Sequence, residues 1–185
     1  MTDSRTQAPT VRVWDPFVRI FHWSQAALIA AAWLTADDWK AVHERVGYTI
    51  AALVALRLVW GVIGTRHARF RDFVRGPRAV LGYLADLARG RERRYLGHNP
   101  AGGAMVVALL ATVAVTTLTG WLQTTDAFWG DELMEDIHKG AATLILVLVA
   151  FHLGGVLYES LRHRENLVRA MLTGTKRPLS PRDRD

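Results

Sequence analysis

The chain has 185 residues, half of them apolar, and 23 Lys plus Arg against 17 Asp plus Glu give it a net charge of +6. That length is about one domain, and so apolar a chain with so many charges must keep the two kinds of residue in different segments. The absence of cysteine excludes disulfides, thiolate metal sites, iron–sulfur clusters and the CxxCH attachment of a covalently bound haem. Seven Trp and seven His remain as the unusual features, and their positions carry the reading.

Four stretches reach the roughly 20 apolar residues that a helix needs to cross a bilayer. The first covers about 17–36, the second about 46–64, the third about 100–122 and the fourth about 137–158. Asn99 is a suitable N-cap for the third, with Pro100 at the first helical position, where a missing N–H costs nothing. A soluble four-helix bundle would carry a polar stripe on each helix. Between Ala104 and Leu118 the only hydrogen-bonding side chains are Thr112, Thr116 and Thr117, so the expected fold is all-α, an integral membrane four-helix bundle. The single domain spans 1–185.

Lys and Arg concentrate in alternate connections. Arg5, Arg12 and Arg19 precede or edge the first span, nine Arg lie between Thr65 and Asn99, and seven Lys plus Arg follow Tyr158. Residues 37–45 hold only Lys40 and Arg45, and residues 123–136 hold none against Asp126, Asp131, Glu132, Glu135 and Asp136. The positive-inside rule then puts both termini in the cytoplasm, with the acidic loops outside. The first span resembles a signal peptide in having basic residues before an apolar run. Cleavage would remove His22 and leave three spans, so it is read as uncleaved. In the second connection, RAVLGYLADLAR places Val80, Leu81, Leu84, Leu87 and Ala88 at helical spacing, as in a short amphipathic helix on the membrane surface. Its arginines suit anionic lipid headgroups and not nucleic acid. The end of the chain, about 174–185, is expected to be flexible. Trp14, Trp23, Trp39, Trp60, Trp121 and Trp129 fall near span ends, as an aromatic belt does.

His138 and His152 lie 14 residues apart in the fourth span, close to four helical turns, so they share a face about 21 Å apart along the axis. His22, early in the first span, lies at the depth of His152. His43, just before the second span, lies at the depth of His138. The chain therefore holds two histidine pairs, each across two helices, suited to the two axial positions of a haem iron. Arg57, 14 residues after His43, reaches the inner level, and a mid-membrane cation needs a partner. It and Arg19 are candidates for the haem propionates. His67, His98 and His163 are assigned to solvent, headgroups or turns, and Gly120 and Gly154–Gly155 to close helix packing. Ser24 and Gln25 near the inner pair, and Thr124 and Asp126 near the outer pair, are polar groups at those two levels.

With these residues the chain resembles the bacterial cytochrome b561 family, which includes the b-type cytochrome subunits of nickel–iron hydrogenases. The resemblance rests on VWDPFVRIFHW from Val13, Gly47–Tyr48 after His43, RLVWGVIG from Arg57, GHNPAGG from Gly97, TGWL from Thr119, and the paired histidines of the fourth span. It implies two non-covalent b haems held by His22, His152, His43 and His138, and electron exchange with quinone, for which Ser24, Gln25, Thr124 and Asp126 are the candidate contacts. The expected partner is a periplasmic redox enzyme or cytochrome c, and a homodimer is left open. Two alternatives stand beside this one. The chain is a self-sufficient superoxide:ubiquinone oxidoreductase, drawing the anion with Lys40, Arg45 and Lys139, or it binds a divalent metal through the same histidines.

Overall fold

The computed structural model describes residues 9–181 and 183–185; Arg5, counted above among the basic N-terminal residues, lies outside the described residues. The elements run β1 (Val11–Arg12), α1 (Pro16–Thr35), α2 (Lys40–Ile63), α3 (Phe70–Phe73), α4 (Pro77–Ala88), α5 (Pro100–Leu122), α6 (Glu132–Arg162), α7 (Leu167–Thr173) and β2 (Thr175–Lys176). Four of them, α1, α2, α5 and α6, are long and apolar enough to cross a membrane.

Three of the four long helices, α1, α5 and α6, begin where a side chain satisfies a free amide of the first turn. Asp15 caps α1 by accepting from the Val18 amide, with Pro16 in the first turn. Asn99 caps α5 through Gly102 with Pro100 behind it, as the sequence suggests. Asp131 caps α6 through Met134. Two helices outrun their apolar stretches. α2 starts at Lys40, six residues before the expected span, so His43 lies inside the helix. α6 extends from Glu132 to Arg162, because hydropathy marks the lipid-facing part of a helix and capping marks its end.

α5 and α6 pack most closely, followed by α1 with α2 and α2 with α5. A core of Ile50, Val54, Val113 and Ile145 joins α2, α5 and α6, with Leu28, Ile29 and Ala32 of α1 against it. Among the described residues α6 stands off from α1 and α2, neither of which is among its close packing partners. Large side chains such as Ile20, Leu34, Val62, Ile63, Phe151 and Leu153 point outward, the surface expected of helices solvated by lipid chains.

The two ends of the bundle differ. At the end carrying both termini, here called the basic end, the connections fold into a cap. β1 pairs antiparallel with β2, Val11 opposite Lys176 and Arg12 opposite Thr175. Val13, Trp14, Val18, Ala68 and Leu96 form a second small core. The tail expected to be flexible is instead tied down. Arg94 grips Glu165 through two N–H groups at 3.0 and 2.8 Å and Asp183 through a third at 2.9 Å, while the backbone of Arg184 bonds that of Arg94 and Leu96. Lys176 is buried beside Glu165 and donates to the Tyr95 carbonyl at 2.8 Å. The tail's polar composition reads as disorder only if these partners, more than 70 residues away in sequence, are ignored. Gly174, with φ of 82°, makes the left-handed turn from α7 into β2; a side chain there would also strike the Trp14 carbonyl.

α4 forms as expected and lies against α5. Leu81 and Leu84 are exposed, and Tyr83 faces inward to donate to Glu159. Burial and the Glu159 carboxylate both push the Tyr83 hydroxyl's pKa up, so it remains a donor. Trp14 and Trp60 are not belt residues: Trp14 belongs to the cap core and Trp60 donates to Asp15. Trp23, Trp39, Trp121 and Trp129 are exposed as a belt requires.

Candidate functional site

The four span histidines meet in the two expected pairs. The rings of His22 and His152 have centroids 6.2 Å apart, and those of His43 and His138 are 6.1 Å apart. Two imidazoles sharing one metal ion, each bound through nitrogen at about 2 Å, have centroids roughly 6 Å apart. Both pairs therefore fit a single six-coordinate iron between them. α6 is not a close packing partner of α1 or α2 and meets them through side chains, the Ile145 core and the two histidine pairs, which is compatible with a flat macrocycle at the level of each pair.

At the acidic end the ring orientation is fixed by backbone. His43 Nδ1 lies 2.9 Å from the Ala32 carbonyl and His138 Nδ1 lies 2.9 Å from the Thr116 carbonyl. A carbonyl only accepts, so each Nδ1 carries the proton and donates, which leaves each Nε2 free to bind metal. Both carbonyls belong to helices other than the one bearing the histidine. Gly120 makes room for this: a Cβ there would sit 2.9 Å from His138 Cε1. Gly120 thus belongs to the close packing of α5 on α6, as the sequence suggests, with the His138 ring as its neighbour. At Gly154 and Gly155 an added Cβ meets nothing within 4 Å, so close packing does not explain that pair.

At the basic end His22 Nδ1 is enclosed and has no hydrogen-bond partner among the described residues. The cap lies at the same end of the bundle. Arg57 is 3% exposed, donates from Nη2 to the Ala68 carbonyl at 3.0 Å, and lies over the Phe70 ring. Its Nη1 is enclosed and unpartnered, as is Nε of Arg19, whose Nη2 donates to the Leu172 carbonyl. Both arginines thus keep a donor to spare. Asp15 accepts from Val18, from Trp60 at 3.1 Å and from Thr65 at 2.5 Å. Burial works against its carboxylate, but these bonds hold its pKa below the ordinary value. The sequence reading passed over Asp15, although an Asp directly before a Pro at the head of an apolar run is a helix-start signal.

Of the remaining histidines, His67 and His163 lie in turns, as the sequence suggests, and His98 departs from that assignment. His98 packs between Trp14 and Phe73, with centroids at 4.7 and 4.6 Å. Although part of the residue is accessible, its Nδ1 is fully enclosed; burial, with Arg57 and Lys176 nearby, pushes its pKa down to about 3. His163 ends α6 and lies 3.3 Å from Glu159. His67 is in the turn before α3, against Gly97. Of the quinone candidates, Thr124 faces the Tyr48 hydroxyl at 3.3 Å. Gln25 is buried with neither amide atom partnered. Among the described residues no three His, Cys, Asp or Glu side chains converge on one point, so the donor set is two separate pairs and not the three- or four-ligand shell of a divalent-metal site.

Four apolar helices with one histidine pair near each end define a membrane-embedded cytochrome of the b type. The chain belongs to the prokaryotic cytochrome b561 family, whose model matches residues 13–174. It is 22% identical over 214 residues to a probable Ni/Fe-hydrogenase B-type cytochrome subunit of Bradyrhizobium diazoefficiens, covering 91% of this chain and 86% of that one. It is 23% identical over 218 residues to the protein of the same description in Rhizobium leguminosarum bv. viciae, covering 90% and 89%. No solved structure matches. The protein is accordingly a multi-pass membrane b-type cytochrome that transfers electrons.

Proposed function

We propose that the chain holds two b haems, one between His22 and His152 and one between His43 and His138, and carries electrons across the bacterial inner membrane between quinone and a redox enzyme. The observation that carries this reading is the matched separation of the two ring pairs, 6.2 and 6.1 Å, at opposite ends of one bundle. When bound, haem would supply a one-electron iron couple, and iron held by two imidazoles, from His22 and His152 or from His43 and His138, would offer no ready site to oxygen. The chain's own work is to orient the imidazoles and balance charge. The Ala32 and Thr116 carbonyls fix the tautomers at the acidic end, and the spare N–H groups of Arg57 and Arg19 offer charge compensation to propionates at the basic end.

Both termini and the basic cap lie on the cytoplasmic side in this reading, because the nine Arg of the second connection all belong to that end. The partner is an oxidoreductase subunit outside the membrane. Similarity to hydrogenase cytochrome subunits points to that class, and the acidic loop from Asp126 to Asp136 offers it a docking surface of opposite charge to a basic protein. The superoxide reading finds less support, since Lys139 is engaged by Glu135 and Lys40 lies over the Trp129 ring.

Stopped-flow mixing of the oxidised, detergent-purified protein with a short-chain ubiquinol tests the reading. Reduction of haem within milliseconds to seconds, abolished by a quinone-site inhibitor, is the expected result. Haem that reacts with superoxide and not with quinol would overturn it.

A further inference from the structure

At the basic end a set of side chains closes on itself. The Arg57 guanidinium lies over Phe70 at 5.0 Å, Phe70 packs on Phe73 at 5.8 Å, and Phe73 packs on His98 at 4.6 Å. His98 packs on Trp14 at 4.7 Å. Trp14 shares a core with Ala68, whose carbonyl accepts from Arg57. Two nitrogens of this closed set, Arg57 Nη1 and His98 Nδ1, are enclosed without a hydrogen-bond partner among the described residues.

A buried polar group left unpaired costs about 1–3 kcal/mol, and more if charged, so two in one assembly call for a ligand. Arg Nη1 can only donate, and a neutral imidazole donates from Nδ1 in one of its tautomers. The ligand they fit is an anionic oxygen acceptor. The protein's nearby carboxylates are engaged elsewhere: Asp15 with Val18, Trp60 and Thr65, Asp72 with Arg69, and Asp185 with Arg66. Arg57 lies toward the C-terminal end of α2, at the end of the bundle that carries the His22–His152 pair, so the cradle and that pair belong to the same end.

We propose that His98 and Arg57 together form a carboxylate cradle that holds a propionate of the basic-end haem, each donating one N–H. This rests on the dihaem reading above and adds His98 to the residues that position the cofactor. His98 is a positioning residue: it touches the periphery of the haem, and its loss leaves the axial ligands in place. Removing its N–H leaves the carboxylate's negative charge less compensated, which favours ferric over ferrous iron and lowers the potential of that haem alone.

The test uses the full chain in detergent as wild type, His98→Phe and His98→Gln, with each haem assigned through His152→Ala and His138→Ala. Haem per chain, a potentiometric titration, transfer of haem to apomyoglobin and the propionate bending mode in resonance Raman are read together. His98→Phe is expected to keep two haems and to shift the basic-end reduction equilibrium about tenfold toward ferric, ~59 mV for one electron. It should also release that haem several-fold faster and move its propionate mode, with the acidic-end haem unchanged. His98→Gln, which keeps a donor, should recover most of each change. Should His98→Phe fail to accumulate, His98→Asn gives the same readouts, an intermediate shift supporting the cradle and no shift overturning it. Two haems with an unmoved basic-end potential and propionate mode, or equal shifts at both haems, would overturn the cradle alone. A wild type without haem at the basic-end pair would overturn the dihaem reading and the cradle with it.

Discussion

The two histidine pairs have nearly equal ring separations but are held in different ways. At the acidic end each imidazole is fixed by a carbonyl of a neighbouring helix, Ala32 for His43 and Thr116 for His138. At the basic end His22 Nδ1 has no hydrogen-bond partner among the described residues; that end carries a cap assembled from the N-terminal segment, the α2–α5 connection and the tail. One site depends on helix packing and the other on long-range polar contacts. Their sensitivities to mutation should separate accordingly.

The largest effect is expected from breaking the cap. Arg94→Ala leaves the buried Glu165 carboxylate, 8% exposed at its side chain, without its bidentate partner. Stranding one member of a buried ion pair costs about 3–5 kcal/mol. Thermal melts followed at the two haem bands should show the basic-end haem lost first and the acidic-end haem little affected. The converse variant is Gly120→Val, whose branched side chain meets His138 at a position where even a Cβ would be at 2.9 Å. Overpacking of about 1–3 kcal/mol should fall on the acidic end, read as partial loss of that haem with the basic-end potential unchanged. Asp15→Ala removes the cap of α1 and two further bonds to Trp60 and Thr65. Its cost of about 0.5–2 kcal/mol, the range for an N-cap, should appear as faster amide exchange in the first turn of α1.

The smallest difference concerns pH. Burial opposes the carboxylates of Glu165 and Asp183, but bonds from Arg94 and from the Arg177 and Ser180 amides hold both below their ordinary pKa values. Groups depressed in the folded state stabilise it above their unfolded pKa and lose that contribution as pH falls through the folded one. The tail should therefore stay docked near neutrality and loosen below about pH 4, where Asp and Glu ordinarily titrate. Hydrogen exchange across 174–185 measures this, and loosening that begins near pH 6 would contradict it.

The helices and the histidine pairs were legible in the sequence because both follow from one periodicity. A helix that must cross a bilayer fixes depth by residue count, so a spacing of 14 identifies both the shared face of His138 and His152 and the level of their partners. The cap was not legible. Its contacts join residues such as Arg94 and Asp183, or Trp14 and His98, through turns whose geometry no repeat encodes. A polar tail and an arginine-rich connection each read as solvated when taken alone. His98 shows the same limit: its neighbours in sequence are a glycine and an asparagine, and its aromatic enclosure comes from β1's end and α3.

The central claim is that each pair holds one haem. It is tested most directly by pyridine haemochrome quantification of haem per chain, with dithionite-reduced minus oxidised spectra, on wild type, His138→Ala and His152→Ala. Two haems in wild type and one in each variant, with a different haem spectrum surviving in each, is the predicted result. A single haem in wild type, or loss of all haem from either variant with the fold intact, would contradict two independently ligated centres.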